Sequence, residues 1–164
     1  MLLILSFFTS NLRTEELNPF HDACKRGNLD LLEECLANNV PINVPDKAGN
    51  TGLHWACRGG HEDCVARLLK FGPNINVNPE NRLKDAPLHL AAHKGSSLCI
   101  DLLRSTNRID VLKPNGDGKT AFSLAQDPAT KKALKSWIKD VSKETLEEID
   151  DYDLSDEDEE NQSS

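Results

Sequence analysis

The sequence of 164 residues contains no apolar stretch long enough to cross a lipid bilayer. Residues 1–8 read MLLILSFF, whereas a membrane-spanning helix needs about 20 apolar residues. The same segment is short for a signal peptide, and it has neither a basic region before it nor a small-residue cleavage site after it. We therefore expect no membrane association. A cytoplasmic protein is favoured, and a secreted factor is the less favoured alternative.

The sequence also lacks the motifs that mark most catalytic and cofactor sites. It has no glycine-rich phosphate loop, no nucleophile elbow and no pair of carboxylates spaced for acid–base chemistry. None of its cysteines stands in the close pairs that are typical of a zinc site. These absences predict a protein that is not an enzyme and that uses no metal or cofactor.

Basic residues are missing from one long acidic segment. Residues 147–160 contain 10 of the 27 acidic residues of the chain and no Lys or Arg, while the other 17 acidic residues are balanced by 19 basic ones. Few apolar side chains and strong self-repulsion predict that residues 141–164 form a disordered acidic tail. Such a tail would repel phosphate backbones, so we expect no nucleic-acid partner. A tail that only keeps the protein soluble stays open as an alternative.

What the sequence does contain is one phrase that recurs. Residues 51–61 read TGLHWACRGGH and residues 86–96 read APLHLAAHKGS, with further echoes at 18–27 and 120–125. The alanine shared by the four copies falls at Ala23, Ala56, Ala91 and Ala125, so the repeat period is 33–35 residues. A near-constant period of this length is typical of a repeat array.

Each copy predicts two short helices followed by a hairpin. Pro19 and Pro87 fall where a first helix begins, and glycines seven to eight residues later, Gly27, Gly60 and Gly95, fall where it ends. Apolar residues spaced three to four apart then predict a second helix, as in Leu32, Cys35 and Leu36. The sequence therefore predicts an all-α protein with short connecting β-hairpins, with units at about 18–45, 46–80, 81–114 and a cap at 115–140, preceded by a non-conforming segment 1–17.

The repeated phrase resembles the motif of the ankyrin-repeat family, Thr-Pro-Leu-His-x-Ala-Ala, at 51–57 and 86–92. The resemblance implies a solenoid of about four units in which His21, His54 and His89 hydrogen-bond to hairpin backbone. Stacked units hold these histidines about 10 Å apart, too far to share a metal ion. Lys84 replaces the glycine expected in one hairpin, which predicts a distorted turn. The last unit has Ser123 for histidine and Ala129 for glycine.

The five cysteines, Cys24, Cys35, Cys57, Cys64 and Cys99, belong to this repeat pattern. Cys24 and Cys57 share one repeat position, and Cys64 and Cys99 share another. Both are positions where the family has small or aliphatic core residues. We therefore expect buried, reduced thiols, as in a cytosolic protein.

The family resemblance also implies which positions face a partner. These are Lys25, Arg26, Lys47, Asn50, Trp55, Arg58, Arg82, Asp85, His93, Lys94 and Lys119. Because most of them are basic, the predicted partners are proteins with acidic surfaces. Trp55 is either a binding hot spot or a packing residue between helices, and the charges alternatively form a merely solvated face.

These expectations together favour a monomeric, non-enzymatic adaptor that binds proteins. The alternative is an inhibitory or regulatory subunit that occludes an enzyme with its hairpin tips. Within the family, residues 18–160 resemble an intracellular signalling adaptor whose repeats follow an SH3 domain, but 17 residues cannot form an SH3 barrel, so binding of proline motifs is not expected. Ser155, followed by three acidic residues, is a predicted phosphorylation site. A further hypothesis is that the acidic tail folds back over the basic positions.

Overall fold

The computed structural model describes residues 18–141. This part of the chain contains eight α-helices, a 3-10 helix at Gly72–Asn74 and no β-strand. The helices form four consecutive pairs: α1 Pro19–Arg26 with α2 Leu29–Ala37, α3 Gly52–Gly59 with α4 Glu62–Leu69, α5 Pro87–Lys94 with α6 Ser97–Arg104, and α7 Ala121–Leu124 with α8 Pro128–Val141. The predicted all-α fold of about four helix-turn-helix units is confirmed. Residues 1–17 and nearly all of the predicted acidic tail lie outside the described residues.

The helices lie in two layers. The first helices of the units, α1, α3, α5 and α7, pack side by side in chain order and form the inner layer. The second helices, α2, α4, α6 and α8, form the outer layer in the same order. The shared alanines explain the close stacking of the inner layer, because Ala23, Ala56 and Ala91 are fully or almost fully buried and allow neighbouring helices to approach. Leu32, Leu68 and other apolar side chains fill the space between the layers.

A left-handed glycine ends each of the first three inner helices. Gly27, Gly60 and Gly95 have φ values of 70°, 73° and 81°. At Gly27 the absence of a side chain also makes room for a neighbour, since a Cβ atom there would lie 2.5 Å from the ring of His61. The Nε2 of His61 donates to the carbonyl oxygen of Lys25 at 3.0 Å. This hydrogen bond of His61 therefore joins the second unit to the end of α1.

The loops between units are hairpin-shaped turns rather than β-hairpins with strands. Each is closed by one backbone hydrogen bond from its first to its last residue, 46 to 50, 81 to 85 and 115 to 119, at 2.8 to 3.1 Å. Adjacent turns are joined by one further backbone bond, from Arg82 to Ala48 and from Gly116 to Leu83, both at 2.9 Å. The predicted hairpins are thus reduced to turns, because each strand-like segment is too short for a ladder.

Lys84 does not distort its turn, so that prediction is wrong. It adopts a left-handed conformation with φ of 58°, as Gly49 and Gly118 do at the matching positions with 83° and 75°. Its amide donates to Asn81 at 2.9 Å, as the amide of Gly49 donates to Asp46 at 3.0 Å. The fold imposes the same backbone on a lysine that two glycines adopt freely.

The last unit differs from the others because its inner helix is short. Helix α7 has four residues, and Ala125 leaves the helix with ψ of 130°. Residues that precede proline disfavour helical conformation, so Asp127 before Pro128 prevents this inner helix from reaching the length of the others. Ala129, expected at the glycine position, lies instead in the first turn of α8. The 14-residue helix α8 packs against α6 and α7 and buries Leu134, Trp137 and Ile138.

Candidate protein-binding surface

Three histidines connect the inner helices to the turns that follow them. The Nε2 atoms of His21, His54 and His89 donate to the carbonyl oxygens of Val44, Asp85 and Lys113 at 2.8, 2.9 and 2.9 Å. In His54 the Nδ1 atom also accepts the backbone N–H of Thr51 at 3.0 Å, which requires a neutral ring. Burial lowers the pKa of His54 below its usual value of 6.5 and keeps it in that form. These bonds fix the turns against the helices.

Side-chain amides then join one turn to the next. The Nδ2 of Asn81 donates to Asn50 Oδ1 at 2.9 Å, and the Nδ2 of Asn115 donates to Asp85 Oδ1 at 2.8 Å. Asn50 and Asp85, both predicted to face a partner, are only 7% and 9% exposed. The structure therefore places these two side chains in contacts between turns rather than on the surface.

The predicted basic positions are all exposed. Lys25, Arg26, Arg58, His93 and Lys94 lie at the C-terminal ends of inner helices, and Lys47, Arg82 and Lys119 lie in the turns. We call the exposed surface of α1, α3 and α5, together with the turns at 46–50, 81–85 and 115–119, the inner face. Lys84 adds a further exposed cation to it that sequence reasoning did not assign to binding.

Trp55 brings part of this set together at the junction of the first two units. Its half-buried indole donates from Nε1 to Asp46 Oδ2 at 2.9 Å. Lys25 Nζ lies 5.1 Å and Arg58 Cζ 5.6 Å from the ring centroid, within the range of a cation–π interaction. The ring thus packs between units and also orders two cations. Arg26 lies beside Lys25 at the end of α1, and the other basic residues lie further along the stack, in the second to fourth units.

Two ion pairs link neighbouring units in the outer layer, whereas the inner face has one ion pair among residues 18–141. In the outer layer, Arg67 makes a two-point contact with Glu33 of the preceding unit, with Nη2 to Oε2 at 2.9 Å, and Arg104 pairs with Asp140. On the inner face, Arg26 pairs with Asp22 within α1. The other inner-face cations form no ion pair with an acidic side chain of residues 18–141; they are Lys25, Lys47, Arg58, Arg82, Lys84, Lys94 and Lys119.

Leu83 is a residue of the inner face that sequence reasoning missed. It lies at the tip of the turn at 81–85, between Arg82 and Lys84, and is 69% exposed. The matching tips carry Ala48 and Asp117, so a leucine here has no role in closing the turn. Comparison of the three turns in register would have singled it out.

The five cysteines are buried and none forms a disulfide. Burial raises the pKa of every one of these thiols, most strongly for Cys24 and Cys57. Within residues 18–141, no three His, Cys, Asp or Glu side chains are grouped so that they could hold a metal ion. No helix in this range is long and apolar enough to span a membrane. Ser155 lies outside the described residues.

Comparison with known proteins matches this geometry. A family model for ankyrin repeats matches residues 3–79 and 20–115. Osteoclast-stimulating factor 1 of Danio rerio is 46% identical over 142 residues, which are 86% of this chain and 64% of the relative. The protein of the same name from Rattus norvegicus is 43% identical over 141 residues, with the same coverage. The resemblance to one member of the family is thereby confirmed. The chain spans about 64% of the length of these curated relatives.

A solved structure supports the fold independently. The crystal structure of the human ASB11 ankyrin repeat domain superimposes with a TM-score of 0.70 and 33% sequence identity. The match covers 82% of this chain and 61% of that domain.

Proposed function

Because this chain belongs to the ankyrin-repeat family, we propose that it is a non-enzymatic adaptor that binds another protein through its inner face. The observation that carries this proposal is a set of seven inner-face cations that form no ion pair. Arg67 and Arg104 of the outer layer are neutralised by carboxylates of neighbouring units, whereas on the inner face every Lys and Arg except Arg26 has no acidic partner among the described residues. A partner with an acidic surface supplies the missing charges.

The inner face has the parts that a specific interface needs. Unpaired cations along the turns attract an acidic partner over long distances and speed its association. Lys25 and Arg58 are already ordered against Trp55, so they lose less side-chain freedom on binding. Leu83 offers an exposed apolar side chain between two cations of this surface, and full burial of a leucine side chain by a partner contributes about 1.5–3 kcal/mol.

We extend this proposal to a role in cytoplasmic signalling. The support is the similarity to osteoclast-stimulating factor 1, whose name describes an effect on osteoclasts. An indirect contribution to osteoclast formation and bone resorption is the finer form of the proposal. Its support comes from relatives of which this chain matches 64% of the length. It therefore requires that the shared repeats account for the effect on osteoclasts.

The proposal is tested by affinity capture from cell extract with four variants of the full chain. Arg58→Glu reverses an inner-face charge, and Lys70→Glu makes the same change at the exposed end of α4 in the outer layer. Leu83→Asn and Leu98→Asn form a second matched pair, because Leu98 is 56% exposed on α6. We expect the two inner-face variants to weaken capture of a specific partner about tenfold or more, and the two outer-layer variants to retain it.

The captured protein also distinguishes the adaptor from an inhibitory subunit. If the partner is an enzyme whose activity is unchanged by the added chain, the adaptor is supported. Inhibition that is lost in Arg58→Glu identifies a regulatory subunit instead. Capture that is weakened by Lys70→Glu and retained by Arg58→Glu contradicts binding through the inner face.

A further inference from the structure

Helix α8 presents a second basic surface, separate from the inner face. Lys132, Lys135 and Lys139 are spaced three and four residues apart, so they lie on one side of the helix. Ser136 and Asp140 complete a shallow depression between them. We call these three lysines, with the depression beside them, the α8 lysine face.

The three lysines lack a counter-charge in the described part of the chain. None of them forms an ion pair with an acidic side chain of residues 18–141, and the neighbouring Asp140 is already engaged by Arg104. Like charges at these spacings destabilise a helix. Helix geometry keeps the three lysines on one side, and the burial of Leu134, Trp137 and Ile138 on the opposite side keeps them facing outward.

An oppositely charged segment follows in the same chain. Helix α8 ends at Val141, and the run of ten acidic residues without a basic one begins at Glu147. The five intervening residues span at most about 17 Å when extended. Lys132 and Lys139 are seven residues apart on the helix, a rise of about 10.5 Å. The first acidic residues of the segment can therefore reach every lysine of this face.

We propose that the acidic segment 147–160 binds to the α8 lysine face of its own chain. A short connection makes the local concentration of the segment high, which favours this contact over one with a second molecule. The inner-face cations Lys25 and Arg58 are less accessible to it, because they belong to the first two units and stacked helices are about 10 Å apart. The segment then neutralises α8 and leaves the inner face open to a partner.

This proposal goes beyond the adaptor function and is tested without a partner. Backbone amide NMR spectra are compared for the full chain and for a full-length variant in which the ten acidic residues of 147–160 are replaced by Asn or Gln. We expect chemical-shift changes concentrated at residues 131–140. They should be large in about 0.01 M salt, where the Debye length is about 30 Å, and mostly lost in about 1 M salt, where it is about 3 Å.

A reciprocal set of variants assigns the contact. With Lys132, Lys135 and Lys139 all changed to Gln, neutralising the segment should produce shift changes in α8 that are several-fold smaller. With Lys47, Lys94 and Lys119 changed to Gln, the changes in α8 should stay as in the unmodified chain. Shift changes centred on the inner face, no changes in the described residues, or changes in α8 that persist without its lysines would each overturn the proposal.

Discussion

Lys84 shows how a single residue can be held in a conformation that its type disfavours. Its φ of 58° places a side chain in the left-handed region, where the matching residues of the other turns are glycines. The turn survives because its ends are fixed by more than local preference. Asn81 accepts two backbone N–H groups within the turn, and His54 binds its last carbonyl group.

We predict that Lys84→Gly stabilises the protein by about 0.5 kcal/mol. Relief of about 1–2 kcal/mol of left-handed strain exceeds the 0.4–1 kcal/mol by which a more flexible glycine favours the unfolded chain. Denaturant unfolding in about 0.5 M salt, which screens the lost charge, measures the change. Gly118→Ala is the matched control and should cost about 0.5 kcal/mol by the same balance, because its φ of 75° strains an alanine while no atom lies within 4 Å of the added methyl group to add a clash. A Lys84→Gly protein that is less stable than the parent would contradict the strain.

In this region the sequence predicts backbone conformation better than it predicts the burial of side chains. The need for a left-handed residue at Lys84 follows from the register of Gly49 and Gly118. The burial of Asn50 and Asp85 does not follow from it, because each is covered by an amide about 30 residues away in the next turn. Leu83 could have been found by comparing the three turns in register, but the extent of its exposure depends on which atoms of neighbouring turns approach one another.

At the scale of helices, the contact between α3 and the following turn depends on the protonation state of His54. Burial lowers the pKa of His54 in the folded protein, while in the unfolded chain it stays near 6.5. Below pH 6.5 the unfolded chain therefore binds more protons than the folded protein. The stability from this neutral ring is fully present above about pH 6.5, and it is lost as the pH falls from there through the folded pKa.

We predict a stability loss between pH 7.5 and pH 5 that His54→Gln reduces. The free energy of unfolding, measured by denaturant titration at several pH values, gives the slope for each protein. The carboxylates with lowered pKa values, Glu33, Glu80 and Asp127, are present in both proteins, so their contribution cancels in the difference between the two slopes. Equal slopes in the parent and in His54→Gln would show that the bridge does not control the pH dependence.

Helix boundaries were predictable wherever a backbone constraint is written in the sequence. Pro19 and Gly27 bracket α1 because proline suits the first turn of a helix and glycine suits its left-handed end. The early end of α7 was not foreseen, since the alignment of repeats placed the turn at Ala129. Pro128 does indicate that the inner helix ends before it. The repeat period of the first three units, however, predicts a longer helix that ends at Ala129.

For the whole molecule, stacking makes stability depend on neighbours. Each unit packs chiefly on the units before and after it, so units at the ends of such arrays open more readily than those inside. The buried cysteines report on this, because a thiol that is buried and whose pKa is raised reacts only when its unit opens.

We predict that Cys24 and Cys35 of the first unit are alkylated faster than Cys57 and Cys64 of the second. Among the described residues the first unit has one neighbour and the second has two. Pulse alkylation of the native protein followed by peptide mass spectrometry gives a rate for each thiol. A difference of about tenfold corresponds to about 1.4 kcal/mol in opening free energy. A single rate for all of these thiols would indicate that the array opens as one cooperative body.

The hydrogen bonds that side-chain amides make between turns also bear on how repeat units can be added to such a protein. Asn81 donates a hydrogen bond to Asn50, and Asn115 donates one to Asp85. Each contact between turns therefore needs one donor in the later turn and one acceptor in the earlier turn. A tandem duplicate of residues 81–114, inserted after residue 114, would supply both at its two new junctions. Gene duplication can therefore add a unit to this chain without any new substitution to supply the hydrogen bonds between turns.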